Sequence, residues 1–171
     1  MTRFLPAANL HTLMTLLIAG ALATTAFDFY GKALSPMLGH ATLAPVPLAN
    51  GLIKTLTGAG WRPGANFLHY FAGMVAYPLG WWLIARPLMK TVTPSLHWLV
   101  GATAYGVALW VLALYIIAHL IVGNPAFLGF TGITWVALAG HILFALVAAW
   151  VIESRHPVTA EAGVRTAVSA A

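Results

Sequence analysis

Ionisable side chains are scarce in this 171-residue chain, so the few that fall inside apolar stretches are the first place to look for chemistry. Asp28 is the only acidic residue before Glu153, and His69, His97, His119 and His141 lie in or beside the later apolar stretches. A carboxylate with two imidazoles is a ligand set for zinc or iron, and Asp28, His69 and His119 make one candidate metal site. Two imidazoles on different helices also suit a b-type haem or another tetrapyrrole. For that cofactor the candidate ligands are His69 with His141 or His119, and Gly73, Gly101 and Gly106 would let a flat ring approach the backbone.

Each of these readings has a plainer counterpart. Asp28 and Lys32 stand at i,i+4, a common helix ion pair. His97 and His119 are 22 residues apart, about 33 Å along a helix, which puts them at opposite ends of one span. Glycines in membrane helices serve packing more often than ligands. His141 lies deepest and requires a hydrogen-bond partner, for which Tyr105, Tyr115 and Thr134 are the candidates.

Other chemistries are excluded. There is no cysteine, which removes thiol redox chemistry, disulfides, Cys-ligated zinc, iron–sulfur clusters and c-type haem attachment. No phosphate-binding glycine loop, nucleophile elbow or HExxH is present. Of three acidic residues, Glu153 and Glu161 belong to the tail region, so paired-carboxylate catalysis is excluded too.

The elements that must position these side chains follow from composition. The chain is 61% hydrophobic and 6% charged, against about a quarter charged in soluble domains. That excludes a soluble enzyme, a nucleic-acid module and a disordered chain, and implies an integral membrane protein. Four stretches, 10–30, 66–84, 95–122 and 127–152, match the length of about 20 residues that crosses a bilayer. Pro63-Gly64, Arg86-Pro87, Pro94-Ser95 and Gly123-Asn124-Pro125 punctuate them.

The expected fold is all-α, a polytopic bundle of four transmembrane helices formed by residues 1–152, followed by a cytoplasmic tail, 153–171. Residues 31–64 form one long periplasmic loop that caps the bundle, with a helical turn or two at Leu52 to Leu56. Ala21-Leu22-Ala23 resembles a signal cleavage site, but the span is long and only Arg3 precedes it, which favours a retained helix. Arg3, Arg86, Lys90, Arg155 and Arg165 fall on one side and Lys32, Lys54 and Arg62 on the other. The positive-inside rule then places both termini in the cytoplasm of a bacterial inner membrane. Antiparallel helices bring Asp28, His69 and His119 to similar depth. They also align His69, Gly73, Tyr77 and Gly80 opposite Gly101, Tyr105, Tyr115 and His119, a polar and aromatic seam suited to interhelical contact, a small-ligand pocket or a proton path.

The run Ala23-Thr24-Thr25-Ala26-Phe27-Asp28, His69 with Gly73, Tyr105-Gly106 with Trp110, and Gly140-His141 with Phe144 resembles a group of small bacterial inner-membrane proteins. These are four-helix proteins classed as a domain of unknown function, and the resemblance covers roughly residues 10–152. It implies fold and location, directs attention to His69 and His141, and implies no activity. The function expected from the sequence is a non-enzymatic accessory or assembly subunit of a larger membrane complex. Its partners would be the lipid bilayer and other membrane subunits or a second copy, with no nucleic acid. The alternatives are a histidine-ligated haem or tetrapyrrole protein for electron transfer or cofactor handling, and a small channel or transporter using Asp28.

Overall fold

The structure, a computed structural model, describes residues 10–156. These residues are helical and turn segments, with no strand among them. Helix α1 spans Leu10–Met37, α2 spans Pro45–Thr57, and α3 is an unbroken helical run over 62–92. Helix α4 spans Trp98–Ile121, a short turn follows at Ala126–Phe130, and α5 spans Gly132–Arg155. Prolines open α2 and α3 in their first turns, where a missing N–H costs nothing. Gly58 closes α2 with a φ of +82°, the left-handed cap that glycine takes without strain.

Helices α1, α4 and α5 are long and apolar enough to cross a membrane. The burial pattern agrees, because it is inside-out. Thr12, Thr15, Thr24, Ser35, Arg86, Thr134, His141 and Glu153 are buried, while Leu13, Leu22, Phe67, Ile84, Leu99, Leu120, Trp135 and Trp150 face outward. Water penalises such a surface and lipid does not. The chain is a membrane protein.

Small residues set how closely the helices approach. Ala19 and Ala23 of α1 and Ala145, Ala148 and Ala149 of α5 are all but fully buried where these two helices meet. Gly106 of α4 lies directly on the backbone of α5, since a Cβ there would stand 2.6 Å from the Ile142 Cα. Four wider, π-helical turns interrupt the long helices, at Tyr30–Leu34, Ala72–Ala76, Trp81–Ala85 and Leu112–Ile121. Such turns displace side chains from the regular helical register.

Two features tie the bundle at its ends. Between α4 and α5, Phe127, Leu128 and Phe130 adopt φ of 50°, 55° and 54°, a left-handed turn built from residues with a Cβ. Each such residue costs on the order of 1–3 kcal/mol. Tertiary contacts offset this: the Phe127 ring lies 4.5 Å from that of Trp110 and 5.4 Å from that of Tyr115. The Thr134 hydroxyl donates to the Phe127 carbonyl at 2.5 Å, and the Trp110 indole donates to the Thr134 carbonyl at 3.1 Å. At the other end, Arg86 of α3 (3% exposed) meets Glu153 of α5 (8% exposed) through contacts of 2.6 and 3.3 Å. Arg86 also donates to the His156 carbonyl at 2.6 Å and lies 4.7 Å from the centre of the Trp82 ring. Arg155 donates to the Thr15 hydroxyl at 3.0 Å, which brings α1 into the same cluster.

The helices depart from the sequence expectation in four places. The last helix begins at Gly132 rather than 127, because Phe127–Phe130 are held left-handed, and it runs to Arg155. Glu153 is therefore a buried partner of Arg86 and not a tail residue. Helix α3 extends beyond 66–84 in both directions. The segment 31–64 is mostly helical, since α1 continues to Met37 and α2 takes 13 residues instead of a turn or two. Arg3, Glu161, Arg165 and residues 157–171 of the expected tail lie outside the described residues.

Candidate ligand cavity

Asp28 stands near the α2-proximal end of α1 and makes both contacts that its surroundings offer. Its Oδ2 lies 2.8 Å from Lys32 Nζ, the i,i+4 pair expected from spacing. Its Oδ1 accepts from His69 Nε2 at 3.1 Å, across from α1 to α3. In this geometry the carboxylate only accepts, so Nε2 carries the hydrogen and the lone pair of the His69 ring sits on Nδ1. Nδ1 has no hydrogen-bond partner among the described residues.

His141 is arranged in the same manner by a different device. Its Nδ1 donates to the Ala137 carbonyl one turn back at 2.7 Å, which leaves the Nε2 lone pair free. None of the three expected partners is used. Tyr105 donates to the Tyr77 carbonyl, Thr134 to the Phe127 carbonyl, and the Tyr115 ring stacks on Phe127. The Phe27 ring touches both imidazoles, with centroids 6.4 Å from His69 and 5.2 Å from His141.

The structure brings Asp28 and His69 together and leaves His119 apart. His119 Nδ1 is 2.7 Å from the Asn124 carbonyl, so its ring closes the end of α4. Among the described residues no three His, Asp or Glu side chains converge in a way that could hold a metal. His97 caps the start of α4, its Nδ1 accepting from the Leu99 amide at 3.3 Å.

His69 and His141 both line a cavity of about 510 Å³, a volume typical of small-molecule sites. Gly73 and Tyr77 of α3, Thr24 and Phe27 of α1 and Phe144 of α5 share the lining, α4 supplies an apolar wall, and α2 lies across the top through Leu48 and Leu52. Two of the π-helical turns, at Ala72–Ala76 and Leu112–Ile121, form part of that wall. The lining contains no Lys, Arg, Asp or Glu. The residues with polar side chains in the lining are therefore few: His69, His141, Asn124, Thr24 and Tyr77.

The Thr24 hydroxyl is buried with no hydrogen-bond partner. Threonines in helices ordinarily bond the carbonyl one turn back, as Thr15 does to His11 and Thr103 to Leu99, at 2.8 and 2.9 Å. A side chain on Gly73 would run into that oxygen, so α3 packs directly over the Thr24 hydroxyl. Nothing in the sequence around Thr24 signals that its hydroxyl is left without a partner. The sequence expectation also lacked α2 as the roof, which the prolines at 45 and 47 and Gly58 could have signalled.

Fold and site together define an all-helical membrane protein with an apolar internal cavity and two pre-oriented imidazoles. Comparison with protein-family models, curated proteins and solved structures finds no match for this chain.

Proposed function

We propose that the chain is a four-span protein of a bacterial inner membrane, both termini cytoplasmic, that binds a small, largely apolar molecule in the cavity beneath α2. The observation that carries this reading is that His69 and His141, each with one ring nitrogen committed and the other uncommitted, line one apolar cavity. Buried polar atoms without partners are costly, and a bound molecule that engages them removes the cost. Helix α3 supplies the fourth span in this reading, being long enough and packed beside α1. The outward apolar faces then meet lipid rather than a partner subunit. A tetrapyrrole would find two imidazoles here but no cation for its propionates.

Mass spectrometry of the protein purified in mild detergent tests the reading. An apolar molecule should accompany the native chain and be absent from Leu48→Trp, which places an indole in the cavity from α2. Equal retention by both proteins would refute binding at this site. An absorption spectrum of the same sample tests the tetrapyrrole, whose Soret band would replace the colourless molecule expected here. The cysteine-free chain suits single-cysteine labelling, which tests the orientation: a cysteine in the α1–α2 loop should react from the periplasmic side.

A further inference from the structure

We infer that the bound molecule is held through hydroxyl groups that it donates, which makes it a lipid-soluble phenol or aromatic diol such as the reduced form of a quinone. The inference rests on the cavity being a ligand site and adds the chemical class of the ligand. It follows from which hydrogen-bonding roles are already taken. The N–H of His69 is committed to Asp28, and the N–H of His141 to the Ala137 carbonyl. As a neutral imidazole each ring therefore keeps an acceptor nitrogen uncommitted, and neither can change tautomer without abandoning a bond already made.

The hydroxyls of Thr24 and Tyr77 rotate and serve as donor or acceptor. They fit either kind of ligand and do not discriminate. The imidazoles do. A ketone or a quinone presents oxygen lone pairs, which would face the lone pairs of both rings. A hydroxyl gives its hydrogen to an imidazole nitrogen, and so satisfies the acceptor that a ketone would leave unpaired. Apart from the Asn124 amide, which can also donate or accept, the remainder of the lining is apolar and uncharged, which matches an aromatic ring with an aliphatic tail and disfavours an anion. Helix α2 lies over the cavity at the end of the bundle, where a lipid-borne molecule could pass beneath it.

A matched series tests this: a short-chain quinol kept reduced, the corresponding quinone, and the quinol dimethyl ether, which keeps the shape but lacks O–H donors. Binding to the full-length protein in nanodiscs is measured by calorimetry. The quinol should bind about tenfold or more tightly than the quinone or the ether, the effect of one or two hydrogen bonds to buried acceptors. His141→Phe and His69→Leu should each reduce that preference, and Leu48→Trp should abolish binding of all three. Equal binding of the three compounds, blocked by Leu48→Trp, would overturn the hydroxyl inference and leave the cavity reading in place. Failure of all three to bind would overturn the inference. The mass-spectrometric comparison then decides the cavity reading separately.

Discussion

His69 and Asp28 stand 41 positions apart in the chain and 3.1 Å apart in space, and their bond joins α1 to α3 beside the cavity. Its effect is to fix which nitrogen of the imidazole carries the hydrogen. Asp28→Leu removes the acceptor and frees both the tautomer and the orientation of the ring. The affinity for a quinol should then fall by about tenfold, the size of effect found for partners that orient liganding histidines. Nitrogen NMR of labelled His69 should show the Nε2–H form declining at the same time. An unchanged tautomer in Asp28→Leu would refute this role.

Two threonines of α1 and α5 separate cost from function. Thr24→Val removes a hydroxyl that has no partner, so stability without ligand should change by no more than about 0.5 kcal/mol. Thr134→Val strips the donor from the Phe127 carbonyl and unpins the left-handed turn, at a cost of about 1–3 kcal/mol. Denaturant unfolding in detergent reads both, and a Thr24→Val protein as destabilised as Thr134→Val would show that the Thr24 hydroxyl is in use within the fold.

The Arg86–Glu153 pair should behave non-additively. Each charge is buried, so Arg86→Met or Glu153→Leu alone strands the other and should cost about 3–5 kcal/mol. The double variant leaves nothing stranded and should cost far less than the two single effects together. A double-mutant cycle gives the coupling directly, and additive losses would show that the charges act independently.

Two glycines make a similar contrast. Gly106→Ala pushes a methyl into the α5 backbone and should separate α4 from α5, at about 1–3 kcal/mol. Gly123→Ala meets open space and suffers only from its φ of +86°, a penalty of about 1 kcal/mol. Thermal unfolding that ranks Gly123→Ala as the worse variant would contradict the packing described for α4 and α5.

Local interactions were the legible ones. The Asp28–Lys32 pair follows from i,i+4 spacing, and the end of α4 follows from Gly123, because these signals act within a turn. The Asp28–His69 contact was within reach of the sequence because both residues sit at the same depth of antiparallel helices. His141 was misjudged for the opposite reason. Its partners were sought at long range, in Tyr105, Tyr115 and Thr134, when an apolar environment left the Ala137 carbonyl of its own helix as the acceptor. The turn at Phe127–Phe130 was not legible at all. Aromatic and branched residues disfavour positive φ, and contacts from the helices to either side, Trp110, Tyr115 and Thr134 among them, make that conformation hold. Arg86 was counted among the orienting charges at a helix end, and nothing in its neighbourhood marks Glu153, 67 positions later, as its partner.

That distance along the chain governs how the protein is made. Arg86 leaves the ribosome 67 residues before Glu153, so throughout synthesis of α4 and most of α5 the nascent chain carries a guanidinium whose counter-charge does not yet exist. Until α5 arrives, the guanidinium at this end of α3 has to reach for water or headgroups instead. Under the four-span reading, α3 should therefore settle fully into the bundle only once α5 has followed it.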